Sequence, residues 1–286
     1  MTHSTVTFPT IAPLVIAHRG ARAHAPENTL EAAALGHAHH ADLWELDVNR
    51  TRDGKLVVIH DDTLPRTTDV EAHAVFAARP PFRVCDFTLE ELRALDAGSW
   101  YLHKDPYGRV AAGEVDAVTQ QSYRGIRIPT LEEALRLTRD RDWCVNVEIK
   151  DLEGYAGHDT VTAEVLDLIR RMDMVEQVLL SSFQHRYLRE AHTLLPELPT
   201  GALVEKVRPH NPVELCRKLH AAAYHPDQHI LAPGDLAALR DAGIRTNIWT
   251  VNDMDTAMQL VAEGATGIIT DYPAACLARL QALGHR

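Results

Sequence analysis

No apolar run in the 286 residues approaches the eighteen or so that a membrane span needs, so stable membrane insertion is not expected. The N-terminal stretch MTHSTVTFPTIAPLVIAHRG lacks a basic n-region and carries only a brief apolar run. It does not read as a secretory leader, and a cytoplasmic protein is the expectation. Cysteine is scarce: Cys85, Cys144, Cys216 and Cys276 are the only four, none closer than 59 positions to another. Lacking the close pairs of disulfide scaffolds and zinc sites, they read as reduced, buried packing residues. With 15 Gly and 15 Pro, the chain is neither collagen-like nor of low complexity. Basic residues are outnumbered, 29 Lys and Arg against 40 Asp and Glu for a net charge of −11. Long-range electrostatics therefore oppose nucleic acid and anionic bilayers as partners, and any bound anion must meet a local positive site.

What the chain does have is 45% hydrophobic residues in strand-length runs that alternate with helix-period segments. Eight strands are expected at 14–18, 43–49, 143–149, 178–182, 200–204, 222–225, 245–251 and 267–270. Each precedes a helix, near 27–40, 130–139, 159–172, 184–195, 211–220, 233–242, 253–263 and 274–283. Thr130 with Glu133 has capping-box spacing, and Gly243 and Gly264 sit where helices should stop. Val161, Val165, Leu168, Ile169 and Met172 share a helical face and belong to a core. Eight βα units without a linker predict one α/β domain over 1–286, a TIM (β/α)8 barrel with its chemistry at the C-terminal strand ends.

One segment breaks the repeat. Residues 55–60 read as a strand with no room for a crossover helix after 43–49, and Asp53-Gly54 is a two-residue hairpin signal. An antiparallel excursion is expected, in a register that sets Asp47 opposite His60. Residues 61–129 then form a small inserted subdomain after the second strand, with a helix after Thr88 capped by Glu91, read as a cap on the catalytic face.

The chemistry-bearing residues fall at strand ends: His18 and Arg19 after the first strand, Glu45 and Asp47 on the second, Glu148 and Lys150 on the third, and His60 on the excursion. Period-two alternation puts Glu45 with Asp47, and Glu148 with Lys150, on common faces. Three converging carboxylates repel unless a cation or proton joins them. An all-oxygen donor set selects one hard divalent ion, Mg2+ or Ca2+. The three acids, such an ion, Arg19 and Lys150 together carry one positive charge, which a phosphodiester monoanion matches. Arg19 and Lys150 would hold phosphoryl oxygens, and the two histidines would serve as general base and general acid.

The ordered set IAHRGA, PENTLEAA, WELDVNRTRDGKLVVIHDDTLPRTT, IPTLEEAL, VNVEIK, SSF, WTVND and GIITDYP resembles the glycerophosphodiester phosphodiesterase family, from about residue 14 to 275. The resemblance implies a TIM barrel with an inserted subdomain, metal ligands Glu45, Asp47 and Glu148, and catalytic His18 and His60. It implies substrate contacts for Arg19, Lys150 and Trp249. It further implies that a glycerol hydroxyl attacks phosphorus to give a cyclic phosphate, which water opens to sn-glycerol 3-phosphate, with release of an alcohol such as choline or ethanolamine. The small-molecule glycerophosphodiester would be the partner. Residues 101–124 look longer than the family's compact bacterial forms, which leaves substrate range open. The alternatives are phospholipase D-type cleavage of lysophospholipids at the same site and a catalytically silent phosphate-binding barrel. Retention of both histidines and all three acids speaks against the second.

Seventeen histidines make any single one weak evidence. The H-x-H pattern of His37, His39 and His40 lies on the first helix and reads as its polar outer face. Asn28 reads as a loop-ordering residue, while Asp61 and Asp62 either orient His60 or cap the turn. Phe183, Gln184 and Glu205 fall near strand ends and stay secondary candidates.

Overall fold

The computed structural model describes residues 13–286, so most of the N-terminal stretch read above lies outside the described residues. The strands are β1 (Leu14–Ala17), β2 (Leu43–Arg50), β3 (Leu56–Val58), β4 (Cys144–Ile149), β5 (Val178–Ser182), β6 (Thr200–Val204), β7 (Ala223–Pro226), β8 (Arg245–Ile248) and β9 (Gly267–Thr270). The helices are α1 (Leu30–Ala38), α2 (Leu89–Arg93), α3 (Ser99–Lys104), α4 (Ala117–Ser122), α5 (Leu131–Arg139), α6 (Val161–Arg171), α7 (His185–Leu194), α8 (Pro212–Leu219), α9 (Asp235–Asp241), α10 (Met254–Glu263) and α11 (Pro273–Ala282). All strands except β3 pair in parallel, and β1 closes the ring by pairing with both β9 and β2. This is a TIM barrel, with a helix between successive barrel strands.

Alternation along the strands builds its layers. On β2 and β4 the side chains of Trp44, Leu46, Val48, Val145, Val147 and Ile149 join the large core between barrel and helices. Their neighbours Leu43 and Cys144 point inward, where Leu14, Ile16 and Ile269 complete a second apolar cluster. The same inward phase carries Glu45, Asp47, Asn146 and Glu148 toward the C-terminal strand ends. Helix boundaries follow local chemistry: Thr130 and Thr88 each form a full capping box, with Glu133 and Glu91 respectively. No helix among the described residues is long and apolar enough to cross a membrane.

The hairpin register differs from the expected one. Val48 pairs with Val58 and Arg50 with Leu56, and Ile59 N–H donates to the Asp47 carbonyl at 3.0 Å, so Ile59 rather than His60 lies opposite Asp47. A two-residue loop of the tight mirror-image type needs positive φ at both central residues. Gly54 has φ +74°, but Asp53 is not in that region. Instead Thr51 N–H donates to the Lys55 carbonyl at 2.9 Å, leaving three residues in the loop. The shorter ladder releases the chain after Val58, so His60 reaches the barrel mouth from an irregular segment.

Between β3 and α5, a separate apolar cluster gathers Phe76, Phe87 and Leu92 around Val57 and Ile59 of the excursion. Another joins Tyr101 and Tyr123 to Ala25 and Ala32 of the first βα unit. Cys144, Cys216 and Cys276 are buried, but Cys85 is only half-buried, in the inserted stretch rather than in the core. His37 packs edge-on against Trp143 at the end of α1, away from the barrel mouth.

Candidate active site

The loop from β1 to α1 shapes one side of the site. Arg19 is in the left-handed region (φ +52°), as is Gly20 (φ +82°), where an added Cβ would lie 2.5 Å from the Ala32 backbone. This turn aims the Arg19 amide at Glu45 Oε2, 2.9 Å away. Its guanidinium donates to Glu27 at 2.8 Å and lies 3.2 Å from Asp47. Asn28 orders the loop as expected: its side chain donates to Asp47 Oδ2 at 2.8 Å and accepts the Asp47 amide at 3.2 Å.

Asp47 and Glu148 are side-by-side partners on β2 and β4. One carboxylate oxygen from each of Glu45, Asp47 and Glu148 lies within 4.8 Å of the others, and all three residues are buried. Burial, together with Asp47 and Glu148, pushes the Glu45 carboxyl well above its ordinary range. Burial also raises Glu148. At Asp47 burial acts in the same direction, but Lys150 and Arg19 overcome it and hold the group far below the usual range. Lys150 sits 2.7 Å from Glu148 and 3.3 Å from Asp47. Two fixed cations thus face three acids, and the all-oxygen set fits a hard divalent ion.

Both histidines are held through Nδ1 by a carboxylate. His18 is 2.7 Å from Asp271 Oδ1, and His60 is 2.6 Å from Asp61 Oδ1. A carboxylate only accepts, so Nδ1 carries the proton in each ring and Nε2 is left for chemistry. Burial, reinforced by Arg19, lowers His18 from 6.5 to about 4 against the pull of Asp271. Asp61 is itself clamped by Arg66, which also binds Glu27.

His18, Arg19, Glu45, His60, Glu148, Lys150 and Trp249 line one cavity of about 630 Å³ at the C-terminal strand ends. Asp47 is not part of this lining but is in contact with Arg19 and Lys150, which are. The expected strand 245–251 stops at Ile248, and Trp249 is held by its indole N–H donating to the His225 carbonyl at 2.8 Å. Its ring stands edge-on to Phe183, centroids 5.5 Å apart. Phe183 and Glu205 line the cavity, whereas Gln184 does not; Tyr155 and Asp62 join them. Among the described residues, the inserted stretch contributes only Asp61, Asp62 and Thr63 to this lining, so the 101–124 segment is not a wall of the cavity.

Comparison with known proteins places the chain in a family. The family model described as the glycerophosphoryl diester phosphodiesterase family matches residues 18–275. The chain belongs to that family. Within it, a glycerophosphodiester phosphodiesterase of Caldanaerobacter subterraneus subsp. tengcongensis is 35% identical over 260 residues, covering 91% of this chain and 94% of the relative. A glycerophosphodiester phosphodiesterase of Bacillus subtilis is 31% identical, covering 91% and 84%. Among solved structures, an Oleispira antarctica phosphodiesterase in complex with the product sn-glycerol-3-phosphate superposes with a TM-score of 0.79 at 29% identity, covering 94% of this chain and 97% of that one. The chain is accordingly a phosphodiesterase-family enzyme.

Sequence reasoning passed over Asp271, the partner of His18, although it stands at the end of a barrel strand, where a lone carboxylate is itself a signal. It also passed over Glu27, which binds Arg19 and Arg66.

Proposed function

We propose that the protein hydrolyses glycerophosphodiesters to sn-glycerol 3-phosphate and an alcohol, with Glu45, Asp47 and Glu148 holding one divalent ion, Mg2+ or Ca2+. The carrying observation is that Glu45, Glu148 and both histidines line one cavity, with Asp47 clustered against the two acids and each histidine tethered through Nδ1. The bound ion would supply Lewis-acid stabilisation of phosphoryl charge. Arg19 and Lys150, though ion-paired with the site acids, line the cavity and add positive charge beside the phosphate.

His18 is neutral at pH 7 and acts as base through Nε2; a phosphodiester anion beside it raises its proton affinity toward the working range. It takes the proton of the neighbouring glycerol hydroxyl as that oxygen bonds to phosphorus. His60, entering the step as the imidazolium held by Asp61, gives its Nε2 proton to the departing alkoxide as its P–O bond breaks. The cyclic phosphate is then opened by water with the two roles exchanged. An intramolecular nucleophile gains the effective molarity of a preassembled pair. Phe183 and Trp249 pack around the glycerol and alcohol carbons, and residues 61–129 serve as an accessory subdomain of a single catalytic domain.

The test is release of glycerol 3-phosphate from glycerophosphocholine, set beside lysophosphatidylcholine, with and without chelator. Turnover of the first, lost in EDTA and restored by Mg2+ or Ca2+, supports the reading. Full activity in EDTA, or cleavage of the lysolipid alone, refutes it.

A further inference from the structure

The 101–124 segment does not line the cavity, yet it reaches the catalytic histidine by another route. After α3 the chain reverses at Asp105, which has φ +40° and whose carboxylate accepts the Val110 and Ala111 amides at 3.0 and 2.9 Å. Gly108 N–H donates to the Asp105 carbonyl at 3.0 Å, closing a loop that carries Tyr107. The Tyr107 ring is fixed edge-on to Tyr272, 5.9 Å between centroids, with the Arg22 guanidinium 5.8 Å from its own centroid. Its hydroxyl lies 3.0 Å from Asp271 Oδ2. Asn252 Nδ2 donates to the same oxygen at 2.7 Å, while Oδ1 holds His18 Nδ1. Burial and the adjacent carboxylate push the Tyr107 phenol well above its ordinary range, so it remains the donor.

We propose that Tyr107 is a positioning residue for the reaction, fixing Asp271 and, through Asp271, the ring of His18. The inference rests on the function proposed above. The groups facing this pair are Arg22, 3.7 Å from Asp271 Oδ1 and 3.4 Å from His18 Nδ1, the adjacent Arg19, and Glu27, which pairs with both arginines. None of these replaces a donor at Oδ2. Removing the Tyr107 hydroxyl leaves Asp271 with one donor fewer at that oxygen. The carboxylate becomes more basic, binds an imidazolium more tightly and is freer to turn. Proton affinity at His18 therefore rises and its Nε2 is less well aimed. Because Tyr107 is not among the cavity-lining residues, the effect falls on kcat rather than KM.

The experiment compares Tyr107→Phe with Tyr123→Phe on glycerophosphocholine in the metal-loaded enzyme. Tyr123 also belongs to the segment and also spends its hydroxyl on an internal bond, to the His24 carbonyl at 2.9 Å, but does not touch Asp271. Tyr107→Phe is expected to lower kcat about tenfold, the scale of one hydrogen bond to a charged group, with KM within about twofold. The His18 limb of the pH profile should move to higher pH. Tyr123→Phe should retain wild-type kcat and profile. In an Asp271→Asn background, Tyr107→Phe should cost little more, since the two act as one unit. An unchanged kcat and profile in Tyr107→Phe, equal losses in the two phenylalanine variants, or losses that multiply in the double variant would overturn the proposal. Absence of turnover by the wild type would instead overturn the assigned function.

Discussion

Glu45 and Asp47 are two residues apart on one strand face, yet their removal should act on stability in opposite directions. Burial and the neighbouring acids raise the Glu45 carboxyl, so folding without metal favours its protonated form over the ionised one relative to the unfolded chain. Its contribution is present below the ordinary value of 4.5 and is lost as pH rises toward the folded value. Glu148 is raised in the same sense. Asp47 is depressed, so its contribution is present above 3.8 and is lost only in stronger acid. Ligand acids raised in this way must give up protons to the bound ion, so a divalent ion should stabilise more at pH 8 than at pH 5. At a hundred times its Kd, the ion contributes about 2.7 kcal/mol, or roughly 4–5 °C in Tm for a domain of this size. Glu45→Gln should raise the Tm measured in EDTA at pH 8 and abolish the ion's shift. Asp47→Asn strips a buried partner from both Arg19 and Lys150. Breaking such pairs costs about 3–5 kcal/mol, a fall on the order of 10 °C. Calorimetric melts at both pH values, in EDTA and in Mg2+ or Ca2+, supply the comparison. A Glu45→Gln protein that melts below wild type in EDTA at pH 8, or an ion shift as large at pH 5 as at pH 8, would refute the electrostatic reasoning.

Three further outcomes are expected. His18→Ala and His60→Ala should each lower kcat by about two to four orders of magnitude with an unchanged circular dichroism spectrum; a loss under tenfold in either would remove that histidine from proton transfer. Gly20→Ala should destabilise by about 3 kcal/mol or more, since its Cβ would meet the Ala32 backbone at 2.5 Å with φ at +82°; a melting temperature equal to wild type would contradict the tight turn. Trp249→Phe should keep the aromatic contact with Phe183 but lose the bond to the His225 carbonyl. Steady-state kinetics should show a severalfold rise in KM, and an unchanged KM would place Trp249 outside substrate contact.

Much of the molecule was legible because its determinants are local. Alternation with a period of two needs only neighbouring residues, and it put Glu45 and Asp47 on the inner face of β2 while Trp44, Leu46 and Val48 went to the helix layer. Capping boxes at Thr88 and Thr130 relate residues only three positions apart, and both formed as read. The hairpin marks the limit of such reasoning. Asp53-Gly54 announced a turn, but the loop length depended on a backbone angle at Asp53, and Thr51, Asp53 and Leu89 share bonds that favour the three-residue loop.

By itself, then, the sequence determined the alternating elements, the inward phase of the acids and the strand ends at which chemistry would gather. Tertiary structure decided the pairings that no local pattern encodes. Asp271 meets His18 across 253 positions of chain only because the barrel closes β9 onto β1. Tyr107 reaches the same carboxylate across 164 positions because an inserted loop packs on the first βα turn. Such contacts depend on chain closure and side-chain packing over long separations, and a periodic code extending over a few residues carries no information about them.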